Sequence, residues 1–132
     1  MKALPPSGPP SPLRILVVDD QPLFLEYLTT TLGLDERLAV VGQARDGQEA
    51  ATLACSLAPD LVLMDIDMPV MDGIEATRRI RQALPSIQVV IVSGSDAARD
   101  VDRARCAGAS GYVTKDRLVV DLDAAIRAVA VA

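Results

Sequence analysis

The amino-acid sequence predicts an α/β domain built on a five-stranded parallel sheet with five helices covering both faces. Three observations carry this expectation. Five strand-length apolar runs alternate with helix-length segments, the pattern of repeated β-α-β units joined by right-handed crossovers. The runs at 15–18 and 61–64 are apolar at every position, as strands buried on both faces should be. Charged or hydroxyl residues stand where four of the five runs end, and open α/β sheets gather their ligands at the carboxyl ends of strands.

Taken in order, residues 1–12 hold five of the nine prolines and read as a disordered leader, leaving residues 13–132 as one domain. The first strand, 15–18, ends in Asp19-Asp20. Pro22 then suits the first turn of a helix reaching about Gly33, with Leu25, Leu28 and Leu32 on one face. A β-rich run at 38–41 leads through Arg45-Asp46-Gly47 into a helix at 48–57, which Pro59 closes. The central strand follows, and Asp65 stands at its end. Pro69 stops that strand, Gly73 offers the backbone freedom to turn, and Asp72 is placed to cap a helix at 74–84. Arg78, Arg79 and Arg81 are expected on that helix's solvated side. Residues 87–92 form a strand ending in Ser93, Ser95 is a candidate cap for a helix at 97–107, and Gly108 ends it. A short strand, 111–114, delivers Lys115, and a last helix starts near Val119 or Val120.

Composition narrows the chemistry. Half of the 132 residues are hydrophobic, yet only Phe24, Tyr27 and Tyr112 are aromatic, so the core is aliphatic. Thirteen basic against eighteen acidic residues give a net charge of −5, which argues against direct nucleic-acid contact by this segment. The absence of histidine removes Ser-His-Asp and Cys-His catalysis, His-ligated zinc and a phosphohistidine carrier. Cys55 and Cys106 lack paired spacing and are expected as buried free thiols in a reducing compartment. Neither a secretory apolar core nor a bilayer-length run appears, so a soluble, cytoplasmic protein without membrane contact is expected.

In a parallel sheet the strand ends share one edge, which would gather Asp19, Asp20, Asp65, Ser93 and Lys115 around one crevice. Each has a plainer reading alone: a helix-capping Asp, a satisfied hydroxyl, a solvated lysine. Together they are costly. Two unit charges about 4 Å apart repel by roughly 4 kcal/mol at an effective dielectric of about 20. Three clustered carboxylates therefore call for cations, one from Lys115 and the rest from a divalent ion. All-oxygen ligands without His or thiolate favour a hard ion, Mg²⁺. Carboxylate, Mg²⁺, hydroxyl and lysine make a phosphoryl-transfer site with an aspartyl-phosphate product.

Val17-Val18-Asp19-Asp20, the run from Leu63 through Asp65 to Asp72-Gly73, Val92-Ser93-Gly94 and Gly111-Tyr112-Val113-Thr114-Lys115 together resemble the response-regulator receiver domain of two-component signalling. The similarity covers about Arg14 to Val129. It implies the flavodoxin-like fold of strand order 2-1-3-4-5. It implies Asp65 as phosphoacceptor, Asp20 as direct metal ligand, Asp19 acting through water, and the backbone carbonyl of Asp67 on the metal. Ser93 and Lys115 would bind phosphoryl oxygens, and Tyr112 would move with Ser93 as a switch. The implied partners are a sensor histidine kinase and an output domain, with a phosphorylation-dependent homodimer as one outcome. Such a domain is a self-phosphorylating and self-dephosphorylating switch, not a turnover enzyme. Asp116 departs from the proline many receivers carry there; Lys115-Asp116 and the closing Ala124-Ala125-Ile126-Arg127-Ala128-Val129 resemble the NarL/FixJ-type subgroup, whose output is a DNA-binding domain.

Two rival functions share this chemistry or this fold. A hydrolase with an aspartyl-enzyme intermediate needs a second carboxylate beside the nucleophile and a cap; only Asp67 has the spacing, and 132 residues leave no cap segment. A stand-alone receiver docking on a protein partner is the other. The sequence ends after Ala130-Val131-Ala132 without a polar tail, so the expectation is the input half of a longer transcriptional regulator.

Overall fold

The computed structural model describes residues 11–130; the leader expected over 1–12 lies outside them, except for Ser11 and Pro12. Five strands, β1 (Leu13–Val18), β2 (Leu38–Ala44), β3 (Leu61–Met64), β4 (Gln88–Ser93) and β5 (Gly111–Thr114), pair in parallel in the order β2-β1-β3-β4-β5. Between and after them come α1 (Pro22–Gly33), α2 (Gly47–Leu57), α3 (Gly73–Ala83), α4 (Ala98–Ala107) and α5 (Leu118–Ala130).

The continuous apolar strands split by alternate residues, because successive side chains point to opposite faces. Leu16, Val18, Val62, Met64, Val89 and Ile91 pack beneath α2, α3 and α4. Ile15, Val17, Leu61, Leu63, Val90 and Val92 pack beneath α1 and α5. Both clusters are aliphatic, as composition required. The sheet is thereby fixed from both sides, and its carboxyl edge becomes a rigid platform.

Several expectations shift. β2 continues to Ala44, three residues beyond the β-rich run, since Leu16, Val17 and Val18 pair with Gly42, Gln43 and Ala44 past a bulge. A single 3-10 turn, Lys115–Arg117, precedes α5, which therefore begins at Leu118. Cys55 and Cys106 are exposed, not buried. α2 buries Gly47, Ala50 and Ala54 at helical spacing, and Cys55, one residue further round, faces outward. Cys106 likewise lies between the buried Ala104 and Ala107 of α4. Arg78 and Arg79 are exposed and pair with Glu75, but Arg81 is half-buried. Its guanidinium donates to the carbonyls of Pro85 and, at 2.6 Å, Ile87, so it closes the turn into β4.

Candidate phosphoryl-transfer site

β2 and β3 flank β1 on opposite sides, so the chain changes direction across the sheet at β1 and leaves a crevice beyond the strand ends. Asp19 follows β1 and Asp65 follows β3. Their backbones extend the ladder: Asp19 N–H donates to Ala44 O at 3.1 Å and Asp65 N–H to Val18 O at 3.0 Å. Both carboxyls are thus held at fixed depth, with Asp19 1% and Asp65 5% exposed, while Asp20 is half-buried beside them. One carboxylate oxygen from each of the three lies within 4.8 Å of the others.

Asp19 serves two masters. Its Oδ1 accepts the Gln21 N–H at 2.9 Å, the turn-capping role of a plain aspartate before a helix. Its buried Oδ2 has no hydrogen bond. Lys115 Nζ lies 2.7 Å from that oxygen and 3.8 Å from Asp65 Oδ2. At such a distance the first contact is an ion pair whose angles miss those of a hydrogen bond, so charge and not alignment holds it.

Asp65 is pushed up to about 7, first by burial and then by the charge of Asp19. Lys115 and the backbone N–H of Ile66 pull the other way, and Asp20 adds a smaller upward push. A single ammonium does not neutralise this cluster. The orphaned Asp19 oxygen, the all-oxygen donors and the absence of histidine from the chain fit a hard divalent cation, which Asp19, Asp20 and Asp65 could hold. Asp67 is exposed and its carboxylate is not part of the cluster.

Besides Lys115, the other side of the crevice brings hydroxyls. Ser93 ends β4, is 1% exposed, and its Oγ accepts the Ser95 N–H at 3.2 Å. Tyr112, in β5, packs against the α2–α4 core and donates its hydroxyl to Ser95 O at 2.7 Å. Burial raises its pKa. Ser95 was a candidate helix cap, but Ala97 holds that position without a side-chain bond. Ser95 instead ties the loop: its Oγ donates to Asp100 at 2.6 Å and accepts the Ala97 N–H at 3.2 Å. Nothing in the local sequence marked Ser95 as the anchor of Tyr112.

The loop from β3 to α3 also differs from expectation. Asp72 caps α3 as predicted, accepting the Glu75 N–H at 2.8 Å. Gly73, however, does not take the left-handed turn; Val70 does, with φ of 69° and 82% exposure. Gly73 is required for another reason. A Cβ there would collide with the carbonyl oxygen of Asp65, so the helix start packs directly on the backbone of the central aspartate. Gly47 is used alike: its Cβ would strike the carbonyl of Met71.

Residues 15–127 match the response regulator receiver domain family. The Response regulator GacA of Pseudomonas aeruginosa is 42% identical over 117 residues, which make up 89% of this chain and 55% of that protein. The chain spans about half the length of the transcriptional regulatory proteins it matches. Among solved structures, a two-component response regulator of the LuxR family from Aurantimonas sp. SI85-9A1 has a TM-score of 0.85 at 39% identity, covering 90% of this chain and 85% of that one. The CheX–CheY–BeF3–Mg²⁺ complex of Borrelia burgdorferi gives 0.83 at 26% identity, covering 90% of each chain.

Proposed function

The chain belongs to the response-regulator receiver domain family, and from that premise we propose that it is the phosphoacceptor module of a two-component transcriptional regulator. A sensor histidine kinase is the donor. An oxygen of Asp65 attacks phosphorus as the bond to the kinase imidazole breaks, leaving an aspartyl phosphate. Asp20, Asp65, the backbone carbonyl of Asp67 and, through water, Asp19 would hold the metal. Mg²⁺ would supply positive charge to offset that of the carboxylates and the phosphoryl group. Lys115 and Ser93 take the remaining phosphoryl oxygens. Moving Ser93 inward opens space for Tyr112, which has to leave Ser95 O, and so changes the surface that a partner reads.

The observation that carries this reading is the buried, under-neutralised acid cluster around Asp65. Residues 13–132 are the receiver and the proline-rich leader takes no part in the chemistry. The partner is an output domain that binds DNA, reached in the cytoplasm through phosphorylation-dependent pairing of receivers. One feature supports it: the relatives named as transcriptional regulatory proteins are about twice as long. A stand-alone receiver is the rival, and the gene sequence beyond codon 132 separates the two.

The test of the chemistry is mass spectrometry after borohydride trapping of protein treated with Mg²⁺ and acetyl phosphate. Label is expected on Asp65 alone, and label persisting on Asp65→Asn protein would overturn the assignment. In parallel, Mg²⁺ should raise the melting temperature of the wild type by binding the folded state, and Asp20→Ala should remove most of that rise.

A further inference from the structure

We propose that Phe24 is a positioning residue for Lys115, an inference that rests on the phosphoacceptor reading. Lys115 leaves the end of β5 on a stem of four carbons, and its ammonium must be in place before charge develops on a phosphoryl group. Asp19, at 2.7 Å, and Asp65, at 3.8 Å, draw it from one direction. From another, the ring of Phe24 lies against it, with 4.3 Å between Nζ and the ring centre. That is well within the range at which an aromatic face attracts a cation.

The ring is itself held. Phe24 sits in the first turn of α1 with its N–H bonded to Gln21 O at 3.1 Å, and its side chain packs on the α1–α5 core. Tyr27, one turn on, places its ring 6.1 Å away at 35°. Phe24 also lines an open hollow of about 640 Å³ together with Asp20, Pro22 and Tyr27. The ring therefore borders the ammonium on one side and open water on the other. Lys115 keeps only 20% of its side chain exposed.

An aliphatic side chain here would exclude water equally well. It would return nothing for the hydration the ammonium gives up, whereas an aromatic face does. Phe24 is the one phenylalanine in a chain whose core otherwise uses Val, Leu, Ile and Ala, and a leucine would serve the core edge. The choice of an aromatic at this position is explained by the cation beside it.

The experiment uses the full 132-residue chain with Mg²⁺ and acetyl phosphate, comparing Phe24→Leu with Phe24→Tyr. In the wild type the Lys115 Hε resonances should be shifted upfield by the ring; Leu should return them to ordinary values and Tyr should keep the shift. The rate of Asp65 modification should fall about five-fold in Phe24→Leu, the effect of losing one cation–aromatic contact, and recover in Phe24→Tyr. In a Lys115→Ala background Phe24→Leu should cost nothing more. Unshifted wild-type Hε resonances, an unchanged Phe24→Leu rate, or the same loss without Lys115 would each overturn the proposal. Should Phe24→Leu fail to fold, Phe24→Met takes its place. Failure of wild-type Asp65 to be modified would instead overturn the phosphoacceptor reading, and the resonance comparison would still decide whether the ring holds Lys115.

Discussion

The two walls of the crevice are made from the ends of one parallel sheet, yet they are stabilised in opposite ways. On the β1–β3 side, Asp19 and Asp65 are buried with their backbones locked in the ladder, and one carboxylate oxygen has no hydrogen bond. On the β4–β5 side, the hydroxyls of Ser93, Ser95 and Tyr112 each have a hydrogen bond, tying the loop after β4 to α4 and β5. The one charge from the strand end, Lys115, reaches across to the acids. Rigidity and frustration sit on one wall, satisfaction and freedom to move on the other. A switch needs both: a place where a ligand relieves a fixed cost, and a neighbouring element whose bonds can be exchanged cheaply.

The largest break in this comparison comes from a methyl group on each side. Gly73→Ala drives a Cβ into the Asp65 carbonyl, which cannot yield without shifting the central strand; a cost on the order of 3 kcal/mol or more is expected. Gly94, in the β4–α4 loop, has nothing within 4 Å of its would-be Cβ, and Gly94→Ala should stay within about 1 kcal/mol of the wild type. Urea unfolding of both variants decides, and equal losses would mean that the second wall is as tightly built as the first.

The next effect is electrostatic and has a definite sign. Asp65, pushed up to about 7, keeps a proton in the folded state that the unfolded chain has already lost above its ordinary value of 3.8. Its contribution to stability is therefore fully present below about pH 4 and is lost as pH rises through about 7. Without divalent cations, the wild type should weaken across that window relative to Asp65→Asn, by on the order of 2 kcal/mol. Groups that titrate far from Asp65 cancel in the difference between the two proteins. Thermal unfolding at pH 5 and pH 8 in chelator measures it. A constant difference would show that the acid wall is not frustrated.

These expectations mark how far the sequence could be read. Strand ends are legible because a both-faces-buried strand is apolar throughout and stops visibly at Asp19 and Asp65, so the sheet and its acid cluster follow from pattern. The hydroxyl and lysine follow from the same rule at Ser93 and Lys115. Contacts between segments far apart in sequence do not follow. Gly73 was visible as a glycine offering freedom to turn, but its reason, the Asp65 carbonyl behind it, exists only in three dimensions, and the left-handed residue of the loop is Val70. Helix orientation was hidden at Cys55, because the alanine-rich α2 gives little contrast between its faces, whereas in α4 the charged residues leave only Ala104 and Ala107 buried and Cys106 falls between them, outside. The roles of Phe24 and Ser95 were not legible locally, since each matters for a partner far along the chain, Lys115 for one and Tyr112 for the other.

The smallest effect asks whether the walls already communicate before any phosphoryl group arrives. Tyr112→Phe deletes one hydroxyl and leaves Ser95 O without its 2.7 Å donor, a loss of about 1 kcal/mol. If the hydroxyl wall is independent of the acid wall at rest, this loss adds to the effect of Asp65→Asn within about 0.5 kcal/mol. The geometry argues for additivity. Tyr112 bonds to the loop after β4 and not to any carboxylate, and burial followed by the charges of Asp19, Lys115 and Asp20, not the tyrosine, shifts Asp65. Urea unfolding of the two single variants and the double variant closes the cycle in metal-free buffer. An interaction of about 1 kcal/mol or more would place the coupling in the resting protein. Additivity would leave it to be created by the proposed phosphoryl group, whose oxygens would engage Ser93 and Lys115 together.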